Sequence, residues 1–361
     1  MVKKIHYILL FLPFALIAQI PSGYYSTATG SGYTLKTQLK SIITTGHTDK
    51  GYAALYNAYV KTDNDSFYEN DNTVLDMYSE NPTGADAYNY NHNTRNCGNY
   101  NSENDCYNRE HIFPQGFFNS ALPMRSDIHH VFPTDGYVNG RRSNYPFGEV
   151  SNATWTSQNG SKLGPNTFNN YSGTVFEPID EFKGDIARAL LYFATRYEDE
   201  VTSNTWDNHT DANNPLNGTN NQVYENWYIK LLYKWHTDDP VSQREIVRND
   251  EAYKFQGNRN PFIDHPEYVA QIWDSVLSTK AYDLKNIISI YPTVVTDNYL
   301  TINNKSSIVL NKLSIFSMSG KEIQTIYQPK NKINLSKLGS GLYIIKLISK
   351  QGVNLQKFIK N

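Results

Sequence analysis

Apolar residues recur at helical spacing in Leu35–Thr44 and in Tyr52–Val60. Lys183–Tyr197 repeats the pattern more strongly, with Ile186, Leu190, Leu191 and Phe193 on or near one face. Tyr224–Trp235, Ser242–Asp250 and Pro266–Ser278 read as further helices, the last with proline in its first turn. Thr73–Tyr78 reads as a strand, stopped by Asn81-Pro82-Thr83-Gly84. Residues 86–107, rich in Asn, Tyr and Gly, read as a long loop. A second strand pair is expected around His111, where Pro114 stops one strand and Ser126–Phe132 supplies the other. Thr134 is then placed to cap a short helix containing Tyr137–Arg142.

After residue 284 the pattern changes. Leu300–Ile302, Ile308–Leu310, Leu313–Ser317, Lys332–Leu335 and Leu342–Ile348 are short apolar runs separated by polar turns. That spacing predicts a small antiparallel β-sandwich. The chain therefore reads as an α+β domain over residues 19–284, followed by an all-β domain over residues 285–361.

The N-terminus follows neither pattern. Lys3 and Lys4 precede an apolar run from Ile8 to Ile17, and Ala18-Gln19 follows. Residues 1–18 read as a secretory signal peptide cut after Ala18, although Leu16 is large for the position three before the cut. The run is too short for a stable membrane-spanning helix, and no later stretch is long and apolar enough.

Charge separates the same segments. From Ile287 onward ten Lys face only Asp297 and Glu322, a net +8. With +2 at Lys3 and Lys4 and −2 overall, residues 19–286 carry −12. Nucleic acid binding by this acidic segment would need a local basic patch and a metal ion rather than a basic domain. Cys97 and Cys106 are the two cysteines, and in an exported chain a disulfide between them is expected. Closing so short a loop stabilises by roughly 2–3 kcal/mol. Two free thiols are the alternative.

The candidate chemistry lies in Asn-Arg-Glu-His-Ile-Phe-Pro (108–114) and in the stretch from Asp135 to Gly148. Glu110 and Asn139 offer oxygen ligands to a divalent cation. His111 offers a base, and Arg141 and Arg142 offer charge for a phosphate. These groups suit phosphodiester hydrolysis, with His111 removing a proton from water and Mg²⁺, or else Mn²⁺ or Ca²⁺, neutralising the phosphate. Neighbours on a regular strand face opposite sides. Glu110 and His111 can share a site only if the backbone bends or bulges there, or if the ion lies off the strand end. Asp127 and His129 are candidates to orient His111. The acidic loop Asp63–Asn72 lacks EF-hand spacing and reads as solvated, with Ca²⁺ binding as the alternative.

CYNREHIFPQGFF (106–118), DIHHVFPTDGYVNGRRSNYPFG (127–148) and QGNRNPFIDHPEYV (256–269) resemble the endonuclease I family of secreted bacterial nucleases. That family is of the His-Me finger, or ββα-metal, class. The resemblance covers roughly residues 25–280. It implies that His111 is the general base, that Glu110 and Asn139 bind the metal, and that DNA, often with RNA, is cut without sequence preference. In some members a phosphate-stabilising arginine lies between the two first motifs, and Arg125 occupies that interval here. Arg125 and Arg142 are thus the expected catalytic arginines, with Arg109, Arg141 and Asn258 expected at the substrate.

The tail resembles the C-terminal sorting domain of type IX secretion substrates. Tyr291-Pro292-Thr293, the run from Ser314 to Lys321 and the run from Gly339 to Lys346 carry the likeness. It implies export by that machinery to the medium or the outer cell surface. A monomeric, exported nuclease is the first reading. A non-catalytic surface protein that binds nucleic acid or glycan is the second. A metalloprotease or esterase lacks its devices, because neither His-Glu-x-x-His nor Gly-x-Ser-x-Gly occurs.

Overall fold

The computed structural model describes residues 20–361 apart from 170, 202–212, 278–287, 306–307 and 350–351. The expected signal peptide and the expected boundary at residue 284 lie outside the described residues. The chain divides into two compact units, the first ending at Leu277.

The first unit is built around one buried helix. In chain order it contains α1 (Gly32–Thr44), α2 (Leu55–Thr62), β1 (Tyr107–His111), β2 (Val131–Asp135) and α3 (Gly136–Arg142). A small sheet of β3 (Trp155–Thr156), β4 (Lys162–Pro165) and β5 (Thr174–Glu177) follows. The rest is helical: α4 (Lys183–Arg196), α5 (Asn226–Asp238), α6 (Gln243–Gln256), α7 (Pro261–Asp264) and α8 (Tyr268–Leu277).

Every residue of α4 from Gly184 to Thr195 is buried, so this helix is wrapped on all sides, by α1 and α5 among others. Its polar members are paired. Arg188 Nε donates to Glu245 Oε1 at 2.5 Å, and Asp185 pairs with Arg244. Helix α6 starts at a full capping box, Ser242 with Glu245, and ends at Gly257, whose φ of 88° closes the last turn.

One expected strand is absent and another starts later than expected. Thr73–Tyr78 makes an isolated bridge, Val74 to Asn64, and then turns. Ser126–Phe132 is strand only from Val131. Before it, Asp127 accepts the N–H of His130 across a turn, and Arg248 of α6 takes the Ile128 carbonyl at 2.9 Å. The segment DIHHVF does not present one face to a core and one to solvent, because these residues are buried on both sides. The cap of α3 is Asp135, one residue beyond Thr134, and its carboxylate accepts the Val138 N–H at 2.8 Å.

The second unit is all-β, with β6 (Ile288–Tyr291), β7 (Val294–Val295), β8 (Tyr299–Asn304), β9 (Leu310–Ser317), β10 (Glu322–Tyr327), β11 (Lys332–Asn334), β12 (Gly341–Ser349) and β13 (Gly352–Lys360). One sheet runs β10-β9-β12-β13-β7 and the other β11-β8-β6. Leu313, Ile315, Ile345 and Leu347 of the first meet Ile290, Leu300, Ile302 and Ile333 of the second in one core. Among the described residues no helix is long and apolar enough to cross a membrane.

Candidate active site

The site is a two-stranded ribbon that runs straight into a helix. β1 and β2 pair antiparallel in unbroken register, from Tyr107 opposite Asp135 to His111 opposite Val131. There is no bulge. The acid and the imidazole instead reach the same space because β1 stops at His111. Glu110, His111 and Asn139 line one cavity of about 310 Å³, together with Tyr100, Arg109 and Gln115.

Glu110 is 1% exposed. Tyr78 Oη donates to its Oε1 at 2.8 Å, and Arg142 Nη1 lies 3.4 Å from the same oxygen. Both partners engage Oε1, which leaves Oε2 as the carboxylate atom not bound by either. Burial pushes this carboxyl above the usual range, while Arg142, Tyr78 and the His111 N–H pull it back.

His111 Nε2 lies 3.0 Å from the Arg125 carbonyl oxygen. A carbonyl can only accept, so Nε2 carries the proton and Nδ1 is the basic nitrogen. Burial, then His130 and the guanidinium groups of Arg125 and Arg109, push the imidazole down to about 3. The ring is therefore neutral at neutral pH. Tyr52 stacks on it at 5.7 Å.

Asn139 sits on α3, and its Nδ2 donates to Asn108 Oδ1 at 2.7 Å. With the amide nitrogen so used, the oxygen is the atom left for a cation. Tyr100, inside the loop closed by the Cys97–Cys106 disulfide, lies against this helix. A Cβ at Gly136 would come within 2.7 Å of its ring, and one at Gly140 within 2.6 Å of its hydroxyl. The two glycines are what let the loop approach α3 so closely. A buried carboxylate oxygen and a carboxamide oxygen form a hard donor set that fits a divalent cation with solvent completing its shell.

The arginines divide. Arg142 is 1% exposed, and its Nη1 and Nη2 donate to the carbonyls of His111 and Ile112 at 2.9 and 2.6 Å. It holds the end of β1 and faces Glu110. Arg109 donates to the Tyr52 carbonyl and lies 3.4 Å over that ring, which Arg125 also faces at 4.2 Å. Arg109 also lines a neighbouring cavity of about 510 Å³ with Tyr52, Tyr56 and Tyr100. Arg141 is exposed beside Trp155.

Three expected contacts do not form. Asp127 does not touch His111; its carboxylate accepts from Tyr192, Tyr197 and Gln256, each at 2.7 Å. His129 Nε2 instead meets the Asn258 carbonyl at 3.0 Å. Asn258 is fully buried and donates to Ile43 O and Tyr192 Oη, which puts it out of reach of a substrate. Conversely, sequence reasoning passed over Tyr78, Tyr52 and Asn108 as site residues. Only Asn108 carried a signal, its place inside the NREH motif.

A ribbon and helix with acid and imidazole at the strand end and an amide on the helix define a ββα-metal nuclease. The endonuclease I family model matches residues 31–267, and the secretion system C-terminal sorting domain matches residues 289–361. The chain is 37% identical over 255 residues to an extracellular ribonuclease of Bacillus amyloliquefaciens, covering 69% of this chain and 78% of that protein. An extracellular ribonuclease of Bacillus subtilis is 36% identical over the same coverage. A periplasmic deoxyribonuclease of Aeromonas hydrophila is 29% identical over 148 residues, 39% of this chain and 48% of that protein. The chain belongs to the endonuclease I family. It is a nuclease, secreted or held at the cell surface, and its tail is a type IX sorting domain.

Proposed function

We propose that this nuclease hydrolyses phosphodiester bonds of DNA, and of RNA, without sequence preference, leaving 5′-phosphate and 3′-hydroxyl ends. The sharing of one cavity by Glu110, His111 and Asn139 carries this reading. Relatives named as ribonucleases and as deoxyribonucleases support both substrates.

His111 Nδ1 takes a proton from water, the hydroxide attacks phosphorus in line with the 3′ oxygen, and the P–O3′ bond breaks as the leaving oxygen takes a proton from solvent. The Arg125 carbonyl keeps the ring in the productive tautomer and Tyr52 holds its plane. Glu110 Oε2 and the Asn139 oxygen would hold a divalent cation, Mg²⁺ first and Mn²⁺ or Ca²⁺ as alternatives. Bound there, the cation neutralises charge on the phosphate and the leaving oxygen. Arg109, Arg125 and Arg141 supply charge to the nucleic acid backbone. Arg142 positions Glu110 and the β1 terminus from inside the protein.

Plasmid digestion tests the reading. Purified chain with Mg²⁺ is expected to nick and then degrade the plasmid, and EDTA to stop it. Lack of cleavage under every divalent metal would overturn the proposal.

The pH profile separates the two titrating groups. A base works when neutral, and His111 is held down at about 3, so its protonation does not limit the rate between pH 5 and 7. Glu110 must be ionised to hold the cation, and its carboxyl is raised. The acid limb of kcat/KM therefore belongs to Glu110 and moves to lower pH as Mg²⁺ is increased, because metal and proton compete for one carboxylate. An acid limb near 6.5 that ignores Mg²⁺ would contradict this assignment.

A further inference from the structure

A second group of acids lies outside the active site. Ligand oxygens of Asp65, Glu69 and Glu80 all fall within 4.8 Å of one another. Acidic clusters are common on protein surfaces, but this one is sunk. Asp65 and Glu80 are each 1% exposed. Neither carboxylate oxygen of Glu80 has a hydrogen-bond partner, and Oδ2 of Asp65 has none either. Buried carboxylates without partners are costly, and such atoms are normally satisfied. Arg244, the guanidinium whose charge reaches Glu80, is committed to Asp185. Asp86 adds a further negative charge nearby.

We propose that Asp65, Glu69 and Glu80 form a second cation site, distinct from that of Glu110 and Asn139, which takes Ca²⁺. All three ligands are oxygens, which selects a hard cation over zinc or copper. Ca²⁺ accepts irregular shells of about six to eight oxygens, whereas Mg²⁺ demands near-ideal octahedral geometry and keeps most of its water, so three carboxylates drawn from a loop and a turn suit the larger ion. Water would complete the shell.

The ion would tie the loop at Asp65 and Glu69 to the turn that ends at Glu80. That turn also feeds the active site. Asp76 accepts the Asp135 N–H at 2.8 Å, and Tyr78 donates to Glu110. Calcium at this place is therefore a structural clamp behind the catalytic ribbon.

Equilibrium dialysis and thermal melting of the full chain, with Ca²⁺ alone and with EDTA, test the proposal. At a Ca²⁺ concentration about 100 times Kd, a rise of roughly 5–10 °C in Tm is expected. Glu80→Gln is expected to bind one Ca²⁺ fewer and to lose that rise, without melting lower than the parent in EDTA. Asn139→Ala, which alters the other site, is expected to keep the rise. The proposal is overturned if Glu80→Gln responds to Ca²⁺ as the parent does, or if Asn139→Ala abolishes the response. Should Glu80→Gln fail to fold, Glu69→Gln decides, because that side chain is exposed. Calcium affinity weakened about tenfold supports the site, and unchanged affinity removes it.

Discussion

His111→Ala is expected to lower kcat on plasmid DNA by roughly 10²–10⁴-fold, the usual worth of a positioned base. Added Mg²⁺ or Mn²⁺ should not restore it, because the lost group handles a proton rather than the cation. Glu110→Ala should behave differently. It removes a metal ligand, so its defect is expected to shrink as Mg²⁺ is raised. Steady-state rates across a metal titration read both. Equal rescue of the two variants would show that the roles are wrongly divided. Because His111 is buried among Tyr52, Phe118 and His130, circular dichroism of the variant is needed beside the rates.

Arg142→Ala carries the largest expected cost in stability. The side chain is buried, donates to two carbonyls and faces Glu110. Removing it takes a donor from two buried carbonyl oxygens and leaves the Glu110 carboxylate with Tyr78 and the His111 N–H but no facing cation. Breaking a buried pair in this way costs about 3–5 kcal/mol. In a unit of this size that is on the order of 10 °C in Tm. Arg141→Ala, its exposed neighbour, should change stability by no more than about 0.5 kcal/mol. Thermal melting of the two variants checks the contrast. Similar Tm values for both would mean that Arg142 does not hold the end of β1.

The parts legible in the sequence were those set by local pattern. The helical period in Lys183–Tyr197 matches the α4 that the structure contains, and Glu110, His111 and Asn139, singled out by residue type and order, line one cavity. Contacts between distant segments were not legible. Tyr78 reaches Glu110 from a segment read as a strand, and Tyr52 reaches His111 from the start of α2's approach. No spacing rule links such pairs. Asp127 and His129 misled for the same reason, since their partners come from α4 and from the chain after α6. Ser126–Phe132 reads as a strand, yet buried hydrogen bonds from Arg248, Tyr192 and Tyr197 hold its part before Val131 as a turn. The β3–β5 sheet went unread because its strands are too short to show a period.

A crystal structure of the chain soaked in Mn²⁺ would probe the metal centre most directly. Anomalous scattering is expected to place one ion between Glu110 Oε2 and the Asn139 side-chain oxygen, within reach of a water molecule beside His111 Nδ1. An ion bound elsewhere, with Glu110 and Asn139 left bare in a fully loaded crystal, would contradict the account.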